Sequence, residues 1–158
     1  MRIIDGYNVI GAAGEFGLSL ALPDKEVRLL RLLASFRSRR RSRQAMLVVF
    51  DGHYGKLASG PRRYSHLGIH VEWALGESAD AVIARRVRNA PQARGIEVVT
   101  ADEQILRAIS SSGAKGVRSR EFLAELSRSF VDEPAAEKPA EPGPAEVDEW
   151  LELFREGS

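Results

Sequence analysis

Three apolar runs in this chain end in or beside an aspartate, and a fourth acidic segment follows another such run. This pattern limits the available folds more than any other feature. Ile3-Ile4 leads into Asp5, Val48-Val49-Phe50 into Asp51, and Val98-Val99-Thr100-Ala101 into Asp102, while Glu77-Ser78-Ala79-Asp80 follows the run that ends at Trp73. Strands are expected over Arg2–Asp5, Ala45–Asp51, Ile69–Trp73, Ile96–Thr100 and Lys115–Arg118. Helical periodicity fills most of the gaps. Val27, Leu30, Leu33 and Phe36 follow a start at Asp24, and Val82, Ile83 and Val87 follow Ser78. Ile105, Leu106 and Ile109 follow Asp102, and Phe122, Leu123 and Leu126 follow Ser119. Strands alternating with helices imply an α/β fold, with a parallel sheet covered on both faces by its crossover helices.

Composition narrows the class further. The chain has 158 residues, suited to one domain and a tail, and its 44% apolar content is that of a globular protein. With no cysteine there is neither a disulfide nor a thiolate metal site, which fits a cytoplasmic protein. No window approaches the ~20 apolar residues of a membrane span. A first strand beginning at Arg2 is expected to leave no room for a signal peptide. The net charge of +1 conceals local asymmetry: Arg37, Arg39, Arg40, Arg41 and Arg43 crowd one segment, whereas Asp132 to Glu149 is acidic and proline-rich. Residues 1–131 are expected to form the domain, and 132–145 a Pro/Ala/Glu-rich linker. Residues 146–158 read as an amphipathic helix through Val147, Trp150, Leu151 and Phe154.

Each acid has an ordinary reading. Asp5 and Asp51 precede glycines and suit turns, Asp80 suits a helix dipole, and Asp102 suits an N-cap. Their joint placement is less ordinary, because parallel strands bring all their carboxyl ends to one edge. Clustered carboxylates repel one another unless a cation neutralises them. Oxygen-only ligands suit Mg²⁺ or Mn²⁺, which retain waters that can attack a phosphate. Asn8 and Thr100 lie close in sequence to Asp5 and Asp102 and can support such a site. The arrangement points to a metal-dependent nuclease.

Asp5-Gly6-Tyr7-Asn8, Phe50-Asp51, Glu77-Ser78-Ala79-Asp80 and Thr100-Ala101-Asp102, in that order, resemble the NYN branch of the PIN-like nucleases, particularly its bacterial YacP-like members. The resemblance runs from about residue 2 to residue 128. It implies a PIN-like three-layer α/β/α fold with a parallel central sheet and metal-dependent endonucleolytic cleavage of RNA, ribosome-associated RNA included. Carried over by position, Asp5, Asp80 and Asp102 are the metal-binding acids and Asn8 a supporting active-site residue, with Glu77 and Asp51 as further ligands. Ser78 stands where many relatives carry Thr.

The arginine run, extended by Arg62 and Arg63, is expected to contact RNA phosphates, and Tyr64 to stack on bases. A charged run at a helix C-terminus is equally compatible with a solvated face. The Asp51–Gly68 connection, rich in Gly, Ser, Pro and Arg, reads as a surface loop. His53, His66 and His70 match no zinc spacing, Trp73 reads as core, and Gly11, Gly14 and Gly17 lack a P-loop lysine. Two other functions are open. One is a non-catalytic RNA-binding module on the same fold. The other, a phosphoacceptor domain built on Asp51 and Lys115, lacks the second acid it needs after the first strand, where Gly6 stands.

Overall fold

The computed structural model describes residues 1–52 and 62–131. The expected linker, the C-terminal helix and residues 53–61 lie outside the described residues. The chain forms β1 (Arg2–Asp5), α1 (Gly6–Ala12), α2 (Lys25–Arg39), β2 (Met46–Asp51), β3 (Arg63–His66), β4 (Ile69–Ala74), α3 (Ala79–Asn89), β5 (Glu97–Val99), α4 (Glu103–Ser110), β6 (Lys115–Val117) and α5 (Ser119–Val131). The sheet order is β3-β4-β2-β1-β5-β6, with β3 antiparallel and every other pairing parallel. This is the expected α/β architecture with one antiparallel edge.

Strand alternation divides the core in two. Ile4, Val48, Phe50, Val71, Trp73 and Val99 face α1, α2 and α5, packing on Ile10, Leu30, Leu33 and Phe122. Ile3, Leu47, Val49 and Val98 face α3 and α4, packing on Val82, Ile83, Ile105 and Ile109. Central strands with cover on both faces read as continuous apolar runs, which explains the unbroken Ile3-Ile4 and Met46–Phe50 segments. Each fully buried Ile or Val contributes about 1.5–3 kcal/mol relative to exposure. The sheet grows from β1 through β2 to β4, then crosses back to β5 on the other side of β1. That reversal makes a switch point between β1 and β5.

Helix starts follow from local chemistry, with one departure. The Ser78 hydroxyl accepts from the Ala81 N–H (3.1 Å), and the Asp102 carboxylate from the Gln104 N–H (2.9 Å). Asp24, expected to cap α2, instead accepts from Arg28 Nε at 2.8 Å. α1, not foreseen as a helix, begins directly after Asp5 because Gly6 allows it. A Cβ there would lie 2.5 Å from the Phe50 ring.

The expected surface loop to Gly68 is partly wrong: Arg63–His66 forms β3, an edge strand on β4. Leu67 (φ 53°) and Gly68 (φ 79°) make the two-residue turn between His66 and Ile69. Both turn positions have the positive φ of tight hairpins, where Asn-Gly is the usual signal. Leucine in the first position hides the turn from a sequence reading.

Candidate acid site at the carboxyl edge of the sheet

Parallel pairing brings the ends of β1, β2, β4 and β5 to one edge, and the acids collect there. Asp5 is the last residue of β1 and only 8% exposed. Its Oδ2 accepts from the Thr100 hydroxyl (3.1 Å), whose oxygen in turn accepts from the Asp102 N–H (3.1 Å). The fully buried Thr100 thus ties the end of β1 to the cap of α4 across the switch point. Burial pushes the Asp5 carboxyl up to about 6; the Thr100 hydrogen bond and the Asn8 N–H oppose this, and the Asp80 and Asp102 carboxylates add to it.

Asp80, in the first turn of α3, is also raised above the usual carboxylate range. Partial burial is the main cause, followed by Asp102, which is close enough to share a hydrogen bond, and then by Asp51. The acids therefore act on one another as an electrostatic group. Among the described residues, however, no three His, Cys, Asp or Glu side chains converge closely enough to hold an ion by themselves. The donor set still suits Mg²⁺ or Mn²⁺. Such hard cations prefer oxygen, and Mg²⁺ commonly binds through one or two carboxylates while keeping several waters. Asp102 disfavours ionisation of Asp80, and burial raises Asp5 beside them to about 6, so a cation bound here would relieve repulsion.

The Asn8 Oδ1 accepts from the Ala101 N–H (2.9 Å) and from the Ser119 hydroxyl (2.7 Å). It thereby fastens α1 to the β5–α4 turn and to the start of α5. Tyr7 points into the core, donating to Glu26 Oε1 at 2.8 Å and packing on Phe50 with ring centroids 5.1 Å apart. Glu26 is buried and also meets Lys25 Nζ at 3.5 Å. A reading of periodicity missed this pair because nothing local marks a first-turn glutamate as buried.

The remaining site residues have specific partners. Glu77, expected among the metal ligands, has both oxygens engaged by Arg85 at 2.6 and 2.7 Å, with Arg62 at 3.5 Å. The Arg85 hydrogen bonds hold its carboxyl below the usual range. Arg63 and Arg86 meet across Glu72, at 3.2 and 2.5 Å. Glu72 is 1% exposed and was not singled out by sequence; the only signal was an acid at an alternating position of the His70–Trp73 run. Tyr64 requires a correction. Its ring packs on the core and its hydroxyl accepts from Trp73 Nε1 at 3.0 Å, so it is not a free platform for bases. His70 is exposed on β4 and bonds Ser65 (2.8 Å), and Trp73 is core as expected. His53 lies outside the described residues.

Arg37, Arg39, Arg40, Arg41 and Arg43 are not at the acid edge. α2 returns the chain to the edge where the strands begin: the Arg2 N–H bonds Ala45 O at 2.9 Å, and Arg37 Nη1 bonds Gly68 O at 3.0 Å, just before β4.

A family model for the YacP-like NYN domain matches residues 2–144. The fold is similar to crystal structures of Rae1 (YacP) from Bacillus subtilis. One, at 28% identity and a TM-score of 0.60, covers 84% of this chain and 76% of that one. A point mutant of the same protein, at 23% identity and a TM-score of 0.63, covers 97% and 90%. No curated protein matches the chain significantly.

Proposed function

The chain belongs to the YacP-like NYN domain family, and from that membership we propose that it is a divalent-metal-dependent endoribonuclease hydrolysing RNA phosphodiester bonds at the acid edge. The observation that carries this reading is the placement of Asp5, Asp80 and Asp102 at the switch-point edge, with Asp5 joined to the Asp102 N–H through Thr100 and with neighbouring acids raising Asp5 and Asp80. A nuclease-type fold with uncompensated, interacting carboxylates there is suited to a cation and a phosphate.

Asp5, Asp80 and Asp102 would hold Mg²⁺ or Mn²⁺, with Asp51 adding negative charge beside Asp80. When bound, the ion lowers the pKa of a coordinated water and offsets charge on the phosphate oxygens. The protein supplies orientation. Thr100 fixes the Asp5 carboxylate, and Asn8 clamps three elements so that the acids keep their spacing. Arg62 and Arg63 are exposed, and each guanidinium has donors beyond those its glutamate uses, which can meet phosphates flanking the scissile bond. Glu77 acts through the arginines it holds.

One observation favours a second reading, a non-catalytic RNA-binding module: no three acids converge among the described residues. The two readings separate in one experiment. Purified protein is incubated with varied RNAs, alone and on ribosomes, in Mg²⁺, Mn²⁺ or EDTA, and internal cleavage is followed on gels. Divalent-dependent cuts are expected. RNA retention without cleavage in every metal would select the binding module.

A further inference from the structure

Arginines on the two edges of the sheet differ in what neutralises them. On the flank leading to Asp80, Arg62 and Arg85 share Glu77, and Arg63 and Arg86 share Glu72. At the opposite edge, Arg37, Arg39, Arg40, Arg41 and Arg43 have no carboxylate within ion-pair distance among the described residues. Among the described residues, five positive charges within seven positions are thus left uncompensated.

Their geometry is set by the fold. The Arg39 guanidinium lies 4.7 Å over the Phe130 ring and that of Arg40 5.8 Å over Phe36. The Nε atoms of Arg37 and Arg39 are buried and have no hydrogen-bond acceptor, an uncommon state for buried polar atoms. The helix end carries its own cost. Ser42 N–H bonds Arg37 O at 3.1 Å, closing α2 with Arg41 in the left-handed region at φ 49°. Glycine is the usual occupant of that position, and an L-residue there is strained. Helix-dipole stabilisation accounts for basic residues in the last turn. It does not account for Arg41 and Arg43, which lie beyond the helix and are exposed.

β2 has six residues rising ~3.3 Å each, so about 17 Å of sheet separates this patch from the acids. We infer that the patch is a docking surface for RNA phosphates remote from the chemistry, so that the favoured substrate is an RNA long or folded enough to reach both edges. Planar, ring-stacked guanidiniums with free donors suit phosphate oxygens, and an uncompensated patch gains most from counterion release. The substrate-length consequence rests on the nuclease reading of the acid edge; the docking itself does not.

The test follows kcat/KM and affinity over single-stranded RNAs of graded length and a folded RNA. The wild type is compared with Arg39→Gln, Arg40→Gln, Arg41→Gln, Arg43→Gln. In the wild type both quantities step upward at the length that joins the two edges. The quadruple variant loses the step, by about tenfold for long RNA, with the salt slope flatter by ~0.7 per lost contact; it keeps wild-type rates on the shortest substrates. A step of equal size in both proteins, or none in the wild type, overturns the inference. Arg41→Gln with Arg43→Gln changes only exposed side chains and serves if the quadruple variant does not fold. If no RNA is cleaved at any length, the nuclease reading fails alone, and the affinity step still decides the docking surface.

Discussion

Asp5 holds its proton to about pH 6, where an exposed aspartate, with an ordinary value near 3.8, has long lost it. Below about pH 4 the folded and unfolded states are both protonated, and above about 6 both are ionised. Between these limits the folded state binds the proton that the unfolded state has released, so stability falls as pH rises through the window. In metal-free protein this amounts to roughly 1–3 kcal/mol. Asp5→Asn should remove that slope, as measured by urea unfolding in EDTA from pH 4 to 7. At Asp80, the near-isosteric Asp80→Asn removes one charge from a repulsive group. Cleavage should disappear while circular dichroism is unchanged and metal-free stability holds or rises slightly. Near-wild-type cleavage by Asp80→Asn would remove it from the metal-binding set. Asp80 and Asp102 were legible as acids beside strand ends, because burial and sheet direction leave a clear trace in sequence. The bond from Thr100 to Asp5 was not, since its partners are 95 residues apart.

The β3–β4 hairpin depends on charge for its attachment to α3. Glu72 lies buried between Arg63 and Arg86, whereas Glu77 sits at the surface with Arg62 and Arg85. Hydrogen bonds to charged groups contribute about 1.5–3 kcal/mol when desolvated, and exposed pairs contribute little. Glu72→Gln should therefore cost about 1–3 kcal/mol, and Glu77→Gln should shift the melting temperature much less. Hydrogen exchange should locate the Glu72→Gln loss in β3 and β4, leaving β1 and β5 protected. Equal exchange throughout the sheet would mean that the Glu72 cluster stabilises the whole domain rather than its edge. This element was the least legible in the sequence. Its turn has leucine where a reader expects asparagine, and its strand is short and polar on one side.

For the molecule as a whole, a ligand held only by the native state stabilises it by RT ln(1 + [L]/Kd), about 2.7 kcal/mol at a hundredfold excess. Saturating Mn²⁺ should raise the melting temperature of the wild type and leave Asp5→Asn with Asp80→Asn nearly unmoved. Equal shifts in both proteins would put the bound ions elsewhere. Among the described residues no helix is long and apolar enough to cross a membrane. The alternation of apolar runs with helical periods, read from the sequence alone, determined the α/β class, the parallel core strands and the acids at their ends. Those features follow from periodicity and burial along each segment, which the residue pattern encodes directly even though the strands pair across long stretches of chain. Tertiary structure alone decided which charges neutralise one another and which end of the sheet each occupies. It gave Glu72 and Glu77 their arginines, packed Tyr64 against the core, and set Arg37 to Arg43 at the edge where the strands begin, the length of a strand away from the acids. An arginine run reads the same at either end of a strand. Only the direction in which α2 returns to the sheet places it.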